Sequence, residues 1–138
     1  MSTDPETKTY NLKILVVDDS IPIKIVLGEM LKIYSSEIIF AENGMEAISA
    51  VENNPDIDLI LMDVYMHNMD GFEATRRIRE INKKVTIFVM TATVLSELVE
   101  DFSGTLINDY FPKPFTKEYL QRLIVKHFKK NITLPSQP

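Results

Sequence analysis

Short apolar runs alternate along the chain with longer stretches in which apolar residues recur at helical spacing. The runs are "LKILVV" (Leu12 to Val17), "EIIFA" (Glu37 to Ala41), "DLILM" (Asp58 to Met62), "VTIFVM" (Val85 to Met90) and "INDYF" (Ile107 to Phe111). Three of them are nearly unbroken, rich in β-branched residues and too short for helices, the pattern of strands covered on both faces. Between the first two, Ile23, Val26, Leu27, Met30, Leu31 and Tyr34 form one helical stripe behind Pro22, which suits a first helical turn. Leu95, Leu98, Val99 and Phe102 repeat the spacing, as do Leu120, Leu123, Ile124, His127 and Phe128. Gly71, Ala74, Ile78 and Ile81 make a weaker stripe, and "NGMEAISAVENN" holds a short one.

Five strands alternating with five helices predict right-handed crossovers and an α/β fold with a parallel sheet between helix layers. In such sheets ligands bind beyond the carboxyl ends of the strands, where the strand order reverses. The residues at those ends are Asp18 and Asp19, then Asp63, Thr91 and Lys113. In a sheet wound about a switch point the first and third strands are neighbours, so three carboxylates would share one edge. Two like charges about 4 Å apart cost roughly 4 kcal/mol at an effective dielectric of 20. A cation, a shared proton or a lysine must offset that repulsion.

Composition narrows the choice. With no cysteine and only His67 and His127 as imidazoles, thiolate chemistry is excluded and a metal would be a hard cation held by oxygen. Lys113 alone cannot balance three aspartates. Mg²⁺ (or Mn²⁺) would, and it commonly shares its ligands with phosphate. The 138 residues, 45% hydrophobic, suit one compact domain over residues 12–130, with residues 1–11 and 131–138 as tails. A net charge of -5 with no long basic run argues against direct nucleic-acid binding. No stretch has the length of a membrane span or the apolar core of a signal peptide, so a cytoplasmic protein without membrane insertion is expected.

In a phosphoryl-transfer site an aspartate can itself be the nucleophile. Asp63, alone at its strand end, suits that role; Asp18 and Asp19 would hold the metal, Lys113 would meet a phosphoryl oxygen, and Thr91 would offer its hydroxyl. The motifs "VVDDS", "LILMDVYMHNMDGFEATRRIR", "MTA" and "DYFPKPF", in that order at strand ends, resemble the receiver domain of two-component response regulators from Leu12 to about Phe128.

The resemblance implies a flavodoxin-like (βα)5 sandwich of strand order 2-1-3-4-5. It implies that Asp63 is the phosphoacceptor and that Asp18, Asp19, Asp63 and the backbone carbonyl of Tyr65 hold Mg²⁺. Thr91, Ala92 and Lys113 would bind the phosphoryl group, Thr91 and Tyr110 would form the switch pair, and the Lys113–Pro114 peptide would be cis. The expected donor is a sensor histidine kinase or a histidine phosphotransfer protein. The readout face would be the fourth helix, fifth strand and fifth helix, which could also carry a phosphorylation-dependent homodimer. Such a domain catalyses its own phosphorylation and dephosphorylation but is not otherwise an enzyme. "INDYFPKPF" further resembles the receivers of hybrid histidine kinases, so the chain is expected to be either a stand-alone receiver or one excised from a larger protein, with no effector domain of its own.

The chain departs from the family pattern at His67, where proline is usual, at Leu106, where glycine is common and Gly104 could end the preceding helix instead, and at the bulky Tyr65. Blander roles compete for several residues. Asp18 and Asp19 could cap the next helix, Thr91 could be a buried strand-end hydroxyl, and Tyr110 could be packing. His67 reads as a solvated loop residue and Arg76, Arg77 and Arg79 as a solvated helix face. Two other functions remain: a phosphorylation-independent interaction module, and an aspartate-nucleophile phosphohydrolase resembling the haloacid dehalogenase family, which carries Asp-x-Asp where this chain has Asp-Asp-Ser.

Overall fold

The computed structural model describes residues 10–66, 69–92 and 107–129. The expected helix around Leu95 to Phe102, and His67, Gly104 and Leu106, lie outside the described residues. Within them the chain runs β1 (Leu12–Val17), α1 (Ile21–Leu31), a 3-10 turn (Lys32–Tyr34), β2 (Ser35–Ala41), α2 (Gly44–Asn53), β3 (Leu59–Asp63), α3 (Gly71–Ile81), β4 (Thr86–Thr91), β5 (Asp109–Pro112) and a C-terminal helix (Lys117–Phe128). All strand pairs are parallel and the order is β2-β1-β3-β4-β5.

Strand alternation sorts the core into two layers. Leu15 and Val17 of β1 and Ile60 and Met62 of β3 point to one face, where Ala47 and Val51 of α2 and Ala74 and Ile78 of α3 cover them. Ile14, Val16, Leu59 and Leu61 point to the other, against Leu27 and Leu31 of α1 and Leu120 and Ile124 of the C-terminal helix. Phe88 and Phe111 fill that second layer and are fully buried, each contributing about 2–3 kcal/mol by removal from water.

Each described α-helix starts on a side-chain cap, a contribution of about 1 kcal/mol apiece. Ser20, Asn43, Asp70 and Thr116 accept from the backbone N–H three residues on, and Glu46 reaches back to the N–H of Glu42 at 2.8 Å. The first stripe is correct at Leu27, Leu31 and Tyr34 but not at Val26, which is exposed. Arg79 also corrects the sequence reading. Arg76 and Arg77 do lie on a solvated face paired with Glu73, but Arg79 is buried and donates to Asn108 Oδ1 at 3.0 Å and to the carbonyl of Asn82 at 3.3 Å. Asn108 Oδ1 also accepts from the N–H of Ile87 at 2.8 Å. The guanidinium thus ties α3 to the entrances of β4 and β5. Burial lowers its pKa, yet a guanidinium stays protonated.

Candidate functional site

The site forms where the sheet changes direction. β1 lies between β2 and β3, and Val17 pairs with Met62, so the next step along each strand brings Asp18 level with Asp63. Asp63 pairs with Met90, which places Thr91 one step beyond it, and Thr91 pairs with Pro112. The N–H of Lys113 donates to the carbonyl of Thr91 at 2.8 Å. From there the Lys113 side chain reaches Asp18 Oδ2 at 2.9 Å and Asp63 Oδ1 at 3.2 Å. The Lys113–Pro114 peptide bond is cis.

Asp18 is fully buried, Asp63 is buried and Asp19 is exposed. Asp18 does not cap α1, a role that Ser20 takes. Its Oδ1 instead accepts the N–H of Ser20 at 2.8 Å, so the backbone turn and Lys113 fix its two oxygens independently. One carboxylate oxygen from each of Asp18, Asp19 and Asp63 lies within 4.8 Å of the others.

Burial raises the carboxyl pKa of Asp63, the charge of Asp18 raises it further, and Lys113 offsets this only in part. For Lys113, burial acts to lower the pKa, but the hydrogen bond to Asp18 and the charges of Asp63 and Asp18 outweigh it and hold the ammonium above its ordinary value. Burial thus acts on the two groups as well as the excess of negative charge, and that excess is the cause the two shifts share. With its carboxylates ionised the cluster carries three negative charges against one positive. The two left over, on oxygen donors alone, suit a hard divalent cation.

Thr91 is buried at the end of β4 and Ala92 follows it, exposed. Tyr65 stands two residues past Asp63 with its side chain 60% exposed. Tyr110 is half-buried on β5, packed beside the core layer under α2 and α3. The pocket therefore gathers Asp18, Asp19, Asp63 and Lys113 directly, while Thr91, Ala92 and Tyr65 occupy the surrounding strand end and loops and Tyr110 lies further back on β5, opposite Val89.

Gly71 was read in the sequence only as the start of a weak stripe. The first residue of α3 donates its N–H to the carbonyl of Val64 at 2.7 Å, and a Cβ there would stand 2.4 Å from the carbonyl oxygen of Asp63. Helix α3 thus begins against the backbone of Asp63, an approach that only glycine permits. The "DG" pair was the signal for it, since Asp70 caps the helix and the residue after it has no side chain.

A parallel sheet of order 2-1-3-4-5, with its pocket at the switch point, places the chain in the flavodoxin-like class of α/β proteins. Within that class, residues 14–125 match the model of the response regulator receiver domain, and the chain belongs to this family, the receiver domains of two-component signalling. It is 34% identical over 139 residues to Histidine kinase 3 of Arabidopsis thaliana, covering 84% of this chain and 13% of that protein. The chain therefore spans only a small part of that relative's length. Among solved structures, the receiver domain of the sensor histidine kinase PA1611 from Pseudomonas aeruginosa is 32% identical with a TM-score of 0.73, over 84% of this chain and 96% of that one. That structure holds a magnesium ion in its active site cleft. The Saccharomyces cerevisiae Ssk1 receiver, solved with the histidine phosphotransfer protein Ypd1, is 25% identical with a TM-score of 0.77, covering 86% and 89% of the two chains. Among the described residues no helix is long and apolar enough to cross a membrane.

Proposed function

We propose that this chain accepts a phosphoryl group from a phosphohistidine donor onto Asp63 in a Mg²⁺-dependent reaction, over a functional unit of residues 12–130. The observation that carries this reading is the convergence of Asp18, Asp19 and Asp63 within 4.8 Å around the Lys113 ammonium. Asp18, Asp19 and Asp63 would hold the cation together with the carbonyl of Tyr65, and the cation would supply positive charge for the phosphoryl oxygens. A carboxylate oxygen of Asp63 attacks phosphorus, the bond from phosphorus to the donor imidazole breaks, and the imidazole leaves with the electron pair. Lys113, already between Asp18 and Asp63, meets an oxygen of the transferred group, as do the Thr91 hydroxyl and the N–H of Ala92. Most of the catalysis is thus positioning and charge stabilisation.

The domain fits a partner such as a sensor histidine kinase or a histidine phosphotransfer protein, by analogy with the Ssk1 receiver and its partner. Thr91 at the end of β4 and Tyr110 on the neighbouring strand β5 would carry the change to the surface around β5 and the C-terminal helix, where a phosphorylation-dependent homodimer could form. Incubation with a small phosphodonor and Mg²⁺ tests the reading by intact mass. One labile phosphoryl adduct is expected, which fails to form when chelator is present from the start and in Asp63→Asn. An adduct that forms equally well in Asp63→Asn would overturn the assignment.

A further inference from the structure

The end of the sheet opposite the carboxylate pocket carries an open groove of about 260 Å³. It lies at the entrances of β3 and β4, and the C-terminal helix ends against it at Phe128. Ile57, Val85 and Phe128, all buried, form its apolar floor, and the exposed Pro55 and Lys84 stand at its rim. Asn82 braces that rim, since its Oδ1 accepts the N–H groups of Lys84 and Val85 at 2.9 Å and 3.0 Å. The shape of the opening is thus set by hydrogen bonds within the loop between α3 and β4. None of these residues belongs to the carboxylate pocket.

The sequence supplies an occupant at the groove's own wall. Residues 130–138, outside the described residues, continue from the C-terminal helix as "KNITLPSQP". Ile132 and Thr133 are β-branched and Leu134 precedes Pro135, all of which favour an extended backbone. In an extended segment residues two apart share a side, so Ile132 and Leu134 fall together with Thr133 opposite. Ile132 is four residues from Phe128, a span of at most about 14 Å, and so within reach of a groove that Phe128 itself lines. We propose that residues 130–135 turn back across this groove, with Ile132 and Leu134 on Ile57, Val85 and Phe128 and with Pro55 and the aliphatic stem of Lys84 flanking them.

The size of the groove favours this segment over a separate partner. Its few lining residues fall well short of the roughly 20–30 a side of a stable interface between two proteins. A segment tethered at the edge meets the groove at an effective concentration in the millimolar range, so a contact too weak to hold a free protein suffices. Docking takes Ile132 and Leu134 out of water and ties the end of the C-terminal helix to the entrances of β3 and β4. The inference does not depend on phosphoryl transfer.

Nuclear magnetic resonance of the full chain tests it with Leu134→Asp, Ile132→Asp and Thr133→Asp, which carry the same change of charge at positions beyond the last helix and leave the sheet intact. In the parent, nuclear Overhauser effects should join the methyl groups of Ile132 and Leu134 to those of Ile57 and Val85. Leu134→Asp and Ile132→Asp should each abolish the effects and shift the backbone amide signals of Val85 and Thr86, whereas Thr133→Asp should leave both unchanged. In a mixture of isotope-labelled and unlabelled copies the effects should stay within one copy. Their absence from the parent, groove signals that ignore Leu134→Asp, or an equal response to Thr133→Asp would overturn the proposal. So would effects between copies, which would assign the groove to a second copy's segment.

Discussion

Replacing Asp63 with asparagine should stabilise the metal-free protein, because the pocket holds more negative charge than Lys113 can neutralise. Two unit charges 4.8 Å apart, the widest separation in the carboxylate cluster, repel by about 3.5 kcal/mol at an effective dielectric of 20. Lys113, 3.2 Å from Asp63 Oδ1, returns about 5 kcal/mol on the same scale. Asp18 alone cancels most of that attraction, the exposed Asp19 adds a screened share, and burial of the Asp63 carboxylate tips the balance toward cost. An asparagine keeps an oxygen for the Lys113 hydrogen bond and sheds the charge. The expected gain is on the order of 1 kcal/mol, or roughly 3–4 °C in Tm for a chain of this size. Because the Asp63 carboxyl titrates above its ordinary 3.8 in the folded state, its charge destabilises the fold at neutral pH. The advantage of Asp63→Asn should shrink as pH falls through the folded pKa and vanish below 3.8, where both states are protonated. Thermal unfolding with a chelator at neutral and acid pH measures this. Adding Mg²⁺ should reverse the order, since saturation at a hundredfold over Kd stabilises the parent by about 2.7 kcal/mol. A variant less stable than the parent in chelator at neutral pH would refute this account of the charge balance.

Further predictions concern the supports of the site. Gly71→Ala places a Cβ 2.4 Å from the carbonyl oxygen of Asp63 and should cost about 2 kcal/mol or more in urea unfolding, with a matching fall in adduct yield. Gly28→Ala, whose Cβ would meet the movable ring of Phe40, should be neutral or stabilising by up to about 1 kcal/mol. Arg79→Ala should cost about 2–3 kcal/mol by removing buried charged hydrogen bonds, whereas Arg76→Ala should change stability by about 0.5 kcal/mol or less. Burial acts to raise the Asp109 pKa, but hydrogen bonds from His127, Lys126 and the N–H of Tyr110 outweigh it and hold the carboxyl below 3.8. This depressed pKa contributes stability above the ordinary value that is lost as pH falls through the folded one. Asp109→Asn should therefore flatten the acid limb of the stability profile, and an unchanged limb would refute that contribution.

The sheet and its strand ends were legible in the sequence because two-sided burial leaves nearly unbroken apolar runs, and a charge directly after such a run has few explanations. Asp18, Asp63 and Lys113 stood out on those grounds and converge within hydrogen-bond reach. What escaped the pattern depends on contacts between distant segments. Arg79 sits among solvated arginines on α3 yet is buried, where Asn108, 29 residues away, accepts its hydrogen bond. Gly71 matters through a backbone approach that no side-chain pattern records. On α1 the stripe rightly left out the exposed Ile21 and Ile25 but took in Val26, which is also exposed, because a helix apolar on most sides offers little contrast between its faces. The role of Asp18 was sharpened too. Its two hydrogen bonds, from Ser20 and Lys113, make it a structural anchor as well as a metal ligand candidate, so relief of repulsion is expected from Asp63→Asn rather than from Asp18→Asn.

The central claim is that Asp63 receives the phosphoryl group, and mapping the modified residue tests it most directly. The protein would be incubated with a phosphorylated histidine phosphotransfer protein and Mg²⁺, reduced with borohydride to trap the acyl phosphate, and digested for mass spectrometry. The account predicts one reduced aspartyl position, at residue 63, absent without Mg²⁺. A trapped label at Asp18, Asp19 or any other carboxylate, with Asp63 unmodified, would contradict it.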